Sequence, residues 1–176
     1  MGLMKIVAMS DNHGDRQIIE QIINKYEGKV DAIVHCGDSE LKADDPLVSK
    51  LQIVMGNMDF EHFPESRALR IDQKNILITH GHLQNVNSGL LTLELFAQSH
   101  SADIVTFGHT HQLGVSFDKG ILFVNPGSIS YPRGRYASIG GTYASIITDN
   151  HDYLIQFFDR QLTPVPELKF RFSSSQ

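Results

Sequence analysis

The spacing of apolar and polar positions changes character part-way along the chain. Up to Phe107, short apolar runs alternate with stretches whose apolar residues recur at helical spacing; beyond it, most apolar segments read as strands. Lys5–Ser10 (KIVAMS) predicts a buried first strand. Asp15–Tyr26, with Ile18, Ile19, Ile22 and Ile23 on one face, predicts a helix capped by Asp15. Asp31–Cys36 (DAIVHC) and Gln52–Met55 (QIVM) read as strands, separated by a short helical piece around Pro46–Lys50 that Pro46 can open. Arg67–Asp72 alternates as an edge strand, and Asn75–Thr79 (NILIT) reads as a buried one. Ser88 is expected to cap a helix running through Ser99, with Leu91, Leu95 and Phe96 as its apolar face. Ile104–Phe107 follows as a strand. Val115–Phe117 and Ile121–Val124 then flank a glycine-containing turn, the pattern of a hairpin. Thr142–Thr148, Tyr153–Phe158 and Glu167–Phe172 complete the strands, and Ser173–Gln176 reads as a frayed tail.

A βαβ-like first two-thirds followed by antiparallel strands predicts an α/β protein with two packed sheets and helices outside. No repeat, linker or change of composition divides the 176 residues, so residues 1–176 are expected to form one domain. The single cysteine, Cys36, excludes an internal disulfide framework and a multi-thiolate zinc site. No stretch approaches the ~20 apolar residues of a membrane span. The apolar segment of MGLMKIVAMS is too short for a secretory signal, which points to a cytoplasmic protein. A net charge of −5 disfavours a nucleic-acid polymer as partner. The late phenylalanines (Phe157, Phe158, Phe170, Phe172) are expected in the core or at a homodimer interface.

Chemistry enters where the strands stop. Five apolar runs end at Asp11-Asn12-His13-Gly14, Gly37-Asp38, Gly56-Asn57-Met58-Asp59, His80-Gly81-His82 and Gly108-His109-Thr110-His111. Open α/β sheets bind ligands beyond the carboxyl ends of their strands. At that edge the chain offers Asp11, His13, Asp38, Asn57, His80, His109 and His111: two carboxylates, one amide oxygen and four imidazoles. Seven such groups exceed what one tetrahedral zinc takes and suit two ions of higher coordination number. Mixed N/O ligation without sulfur favours manganese and admits iron, cobalt, nickel or zinc. A hydroxide held between two such ions is a strong nucleophile at neutral pH, and their charge stabilises a phosphoryl transition state.

With these motifs the chain resembles the calcineurin-like metallophosphoesterases, whose pattern D-x-H, G-D, G-N-x-[DE], H and G-H-x-H is matched from Asp11 to His111. The loop Asn125–Ser128 (NPGS) is similar to that of the small bacterial and archaeal phosphodiesterase branch. The resemblance implies a four-layer αββα sandwich of two mixed sheets and hydrolysis of a small phosphoester by in-line attack of hydroxide. It also implies one metal on Asp11, His13 and His111, a second on Asn57, His80 and His109, and Asp38 bridging them. On extended backbone, His109 and His111 are expected to point to one side. Asn12, Asn57, Gly127 and Arg133 are candidate substrate contacts. A non-catalytic protein-binding scaffold, as in the retromer branch of the fold, is the alternative.

One departure bears on mechanism. The phosphatase branches carry Gly-Asn-His in the third motif, and that histidine protonates the leaving oxygen; here the position is Met58. Asp59 remains from the motif as a catalytic candidate, and His82 is a candidate replacement acid. Such acids contribute typically 10²–10⁴-fold. The chain is therefore expected to turn over aryl phosphodiesters well and alkyl phosphomonoesters poorly. Comparable rates on the two classes in a steady-state assay would contradict that expectation.

Overall fold

Two β-sheets lie face to face in the computed structural model, which describes residues 2–149 and 151–174. The chain runs β1 (Met4–Met9), α1 (Arg16–Tyr26), β2 (Ala32–His35), β3 (Gln52–Ile53), β4 (Ser66–Ile71) and β5 (Lys74–Thr79). It continues α2 (Leu91–Ser99), β6 (Ile104–Thr106), β7 (Gly114–Asp118), β8 (Ile121–Asn125), β9 (Thr142–Thr148), β10 (Asp152–Asp159) and β11 (Pro164–Ser173). One sheet has the order β11-β10-β9-β1-β2-β3 and the other β4-β5-β6-β8-β7. β1, β2 and β3 pair in parallel in the first, and β5, β6 and β8 in the second, so each sheet sends a set of carboxyl ends to one edge.

β1 is apolar apart from Lys5 because both of its faces are covered. Met4, Ile6 and Ala8 point between the sheets, against Ile76, Ile78, Ile104, Val124 and Ile146. Val7 and Met9 point outward to Ile18, Ile19, Ile22 and Ile23 of α1. On the far side, Leu93 and Ala97 of α2 pack on Leu77, Val105 and Phe123. Helix, sheet, sheet and helix thus form the four layers of an αββα sandwich. Phe157 lies between the sheets with Phe170 and Phe172 packed nearby, while Phe158 joins the α1 cluster. Phe157 thus belongs to the central core, while Phe158, Phe170 and Phe172 are partly buried at the edges of the two clusters. Cys36 is buried in the central core, where desolvation pushes its thiol up to about 12. Among the described residues no helix is long and apolar enough to cross a membrane.

Several local expectations are corrected. Asp15 holds the N-cap position of α1 without a capping bond, its carboxylate being taken by Arg160 (Nη2–Oδ2 2.8 Å). The expected piece at Pro46–Lys50 is a 3-10 turn over Val48–Lys50. Ser88 ends another 3-10 turn and caps nothing; α2 begins at Leu91. Leu91 and Leu95 are exposed, and Leu93 and Ala97 face the sheet. Both pairs have the spacing of one helical turn, so the pattern fits two faces. At the end of the chain, β11 continues to Ser173 and the Ser174 amide donates to the His151 carbonyl (2.7 Å); residues 175–176 lie outside the described part.

Phe157→Ala removes a fully buried ring from between the sheets and is expected to cost about 3–5 kcal/mol, read as a lowered denaturant midpoint.

Candidate metal centre

The two sets of strand ends meet across the open edge of the sandwich. Loops after β1, β2 and β3 bring Asp11, His13, Asp38 and Asn57; loops after β5 and β6 bring His80, His109 and His111. Close approach of the sheets is possible because residue 108 is glycine: an added Cβ would collide with Ser10 Oγ and stand 2.5 Å from Asp11 Oδ2.

Metal-ligating atoms of Asp11, His13 and His111 lie within 4.8 Å of one another, as do those of Asp11, Asp38 and His80. Asp11 Oδ1 stands 3.3 Å from His111 Nε2, 3.7 Å from His13 Nε2 and 3.8 Å from His80 Nε2. Asp38 Oδ2 is 3.2 Å from His80 Nε2 and 3.8 Å from His13 Nε2. Both carboxylates therefore sit between the two groups of imidazoles, a place the sequence assigned to Asp38 alone. Asn57 Oδ1 is 3.0 Å from His80 Nε2, and the His109 ring stands 5.1 Å from that of His80. His13, Asp38, Asn57, His109, His111 and Arg133 line a cavity of about 300 Å³.

The tautomers are set from behind. His80 Nδ1–H donates to the Cys36 carbonyl (2.7 Å) and His111 Nδ1–H to the Tyr131 carbonyl (2.8 Å), which leaves each Nε2 lone pair facing the cavity. Asp11 Oδ2 accepts the Ser10 hydroxyl and the His109 amide. Its Oδ1 is buried and, among the described residues, has no hydrogen-bond partner. An unpartnered carboxylate oxygen among imidazole nitrogens fits a cation, and the mixed N/O set fits first-row divalent ions.

A model of the calcineurin-like phosphoesterase superfamily domain matches residues 4–151. The chain belongs to the calcineurin-like phosphoesterase superfamily. Similar proteins include the probable metallophosphoesterase YsnB of Bacillus subtilis, 34% identical over 169 residues, or 96% of this chain and 98% of that one. The phosphodiesterase MJ0936 of Methanocaldococcus jannaschii is 31% identical over 144 residues, covering 70% of this chain and 83% of that one. A solved structure, a predicted phosphoesterase from Streptococcus pneumoniae, is 40% identical with a TM-score of 0.95 and covers 98% of this chain and 99% of its own.

Within this phosphoesterase, several candidate residues have other duties. Asn12 is buried, donates to the carbonyls of Asp15 (3.2 Å) and Ser39 (3.0 Å), and accepts from His35 Nε2 (2.7 Å), so its amide joins the motif loops. Gly127 is buried, with φ +79 and no room for a Cβ, which would stand 2.5 Å from Thr142 Oγ1; its role is to turn the NPGS loop. Asp59 is not free for proton transfer. Its Oδ2 accepts the amides of Asp38 (3.0 Å) and Gly56 (2.7 Å), and its Oδ1 that of Glu40 (2.8 Å), which pins the second and third motifs together. His82 packs behind the ligands, 5.2 Å from the His80 ring and 6.0 Å from that of His109, with its Nδ1 buried. Arg133 lines the cavity.

His35 was invisible as a site residue because it lies inside an apolar strand. It accepts the Gly37 amide (3.0 Å) and donates to Asn12, tying the first motif to the second. Complete burial lowers its pKa to about 4, so it stays neutral. The GHTH segment is not extended: His109 and His111 have φ +71 and +60. Asp11, His13 and Asp38 also lie in the left-handed region, with φ +56, +43 and +57.

Charge reinforces the geometry. Burial opposes ionisation of Asp11, but the neighbouring His111 imidazole, the His80 charge and the Ser10 hydroxyl outweigh it and hold the carboxyl below its ordinary range. Asp38 falls to about 2: burial is again overcome, chiefly by His80. Conversely, the Asp11 carboxylate 3.3 Å away raises His111, and the Asp38 carboxylate 3.2 Å away raises His80 against its burial. Raised histidines in the metal-free protein give stability that is full below the ordinary value of 6.5 and lost as pH climbs through the raised values. A divalent ion needs the neutral rings, so it must expel their protons. Mn²⁺ binding at pH 7 is expected to release about one proton or more and to tighten with rising pH. Calorimetry in buffers of different ionisation enthalpy measures that release; an affinity flat from pH 6 to 8 would refute it.

Proposed function

We propose that this phosphoesterase is a cytoplasmic, single-domain phosphodiesterase of small phosphoesters that works with a pair of divalent metals, manganese first among them. The observation that carries the reading is the buried, unpartnered Asp11 Oδ1 facing the Nε2 atoms of His13, His80 and His111. Asp11, His13 and His111 would hold one ion, and Asn57, His80 and His109 the other, with Asp38 shared. Bound there, the pair supplies positive charge to the phosphoryl group and lowers the pKa of water at the site.

The chain's own groups do the rest. Asp11 and Asp38 remain ionised at neutral pH because their carboxyl groups are held low. The Cys36 and Tyr131 carbonyls fix the ring orientation of His80 and His111. Arg133 faces the cavity from its wall, where a guanidinium can take two oxygens of a phosphate. No residue of the cavity wall is placed to protonate a poor leaving group. Met58 lines the cavity without an ionisable atom. Burial and the neighbouring charge of His80 lower the pKa of His82, which leaves it mostly neutral at pH 7 and suits it to shaping the ligand set.

The test is turnover of bis(p-nitrophenyl) phosphate with Mn²⁺, after chelation, and after Mn²⁺ is restored. Activity should vanish with the chelator and return with the ion. Asp11→Asn should lose metal and turnover together, by about 100-fold or more. His82→Ala should also weaken both, whereas loss of turnover alone would make His82 the acid. Full activity in chelator overturns the reading. A protein that binds none of manganese, iron, cobalt, nickel or zinc would favour the scaffold alternative.

A further inference from the structure

The ligand cavity opens into a second one. A space of about 370 Å³ is bounded by Glu40, Tyr131, Arg133, His13 and His111, and the last three also line the ligand cavity. It is a shallow recess, open to solvent along much of its boundary. Arg133 stands at the junction, lining both spaces, with its amide donating to the His111 carbonyl (2.8 Å).

The lining of the second cavity is chemically particular. The Tyr131 side chain is 57% exposed, yet its backbone is held on both sides. Its amide donates to Ser128 Oγ (2.8 Å), its carbonyl receives His111 Nδ1–H (2.8 Å), and its ring packs edgewise with that of His13 at 5.7 Å. This aromatic surface is exposed, and its backbone is anchored. Opposite lies Glu40, which Asp59 holds by its amide and whose carboxylate is 3.5 Å from His13 Nδ1. A carboxylate there repels a second anionic group and welcomes hydroxyl or amino donors. The exposed ring favours a flat aromatic partner.

We infer that the second cavity seats a nucleoside, so that the substrate is a nucleoside phosphodiester. The phosphate lies beside Arg133, the base against Tyr131, and sugar hydroxyls or base amino groups near Glu40. The inference rests on the diesterase reading. Water adds at phosphorus and the P–O bond to the other alcohol breaks. That alcohol leaves with a proton from the water, and a nucleoside monophosphate remains. Tyr131 and Glu40 determine specificity and take no part in bond breaking.

Two substrates with one leaving group test this: thymidine 5′-(p-nitrophenyl phosphate) and methyl p-nitrophenyl phosphate, both followed as p-nitrophenolate with the Mn²⁺-loaded protein. The nucleoside ester should have the higher kcat/KM by about 10-fold, carried by KM. Tyr131→Ala should reduce kcat/KM for the nucleoside ester about 10-fold more than for the methyl ester, and Tyr131→Phe should restore the difference. Glu40→Gln should weaken the nucleoside ester selectively. Calorimetric titration with AMP and with inorganic phosphate should show tighter AMP binding, an advantage that shrinks in Tyr131→Ala. Equal turnover of the two esters, or parallel losses in the variants, overturns the nucleoside inference and leaves the diesterase reading intact. Failure to hydrolyse either ester overturns both.

Discussion

One carboxylate oxygen organises this molecule. Asp11 Oδ1 is withdrawn from water, lacks a hydrogen-bond partner among the described residues, and faces three imidazole nitrogens contributed by both sheets. A buried anionic oxygen without a partner is costly, so such an arrangement persists only where positive charge completes it. In the metal-free protein His80 and His111 provide that charge by binding protons more tightly than usual. The surrounding contacts keep Asp11 in place. The Ser10 hydroxyl and the His109 amide hold its other oxygen, Ser128 Oγ donates to its backbone carbonyl (2.7 Å), and Gly108 leaves room for it between the sheets.

The backbone shows the cost of this convergence. Five of the seven candidate ligand positions have left-handed φ, although none is glycine. For residues with a Cβ each such conformation costs roughly 1–2 kcal/mol. Asparagine, aspartate and histidine tolerate it better than most side chains, which suits the residues found here. Stability from elsewhere must hold the loops in place. The layers on either side of the sheets and the three amide bonds of Asp59 do this, as does the chain from Gly37 through His35 to Asn12. A residue retained from a catalytic motif, Asp59, thus functions as a brace.

Much of this was legible in the sequence because apolar runs ending in Gly, Asp or His state both a strand and its terminal chemistry. The parallel strands, the two-sheet architecture and the gathering of Asp11, His13, Asp38, Asn57, His80, His109 and His111 all follow from that pattern. Features decided by tertiary contact were not readable. Leu91 and Leu95 compete with Leu93 and Ala97 at equal spacing, and only docking on the sheet decides between them. Asn12 and Gly127 lie near the metal ligands in sequence, but burial turns them inward. His35 has the spacing of a core residue, and its partnership with Asn12 spans 23 positions.

The bond from Ser128 to Asp11 has a further implication. All seven candidate ligands lie at or before residue 111. Yet the aim of those side chains is controlled in part by the remainder. Ser128 and Ile129 grip the loop after β1, Tyr131 orients His111, and β9 inserts beside β1. A chain made only as far as residue 111 holds all seven candidate donors and the Cys36 carbonyl that sets His80, but not the contacts that hold Asp11 from Ser128 and His111 from Tyr131. The aim of the candidate donors thus depends on strands and loops that follow them in the chain.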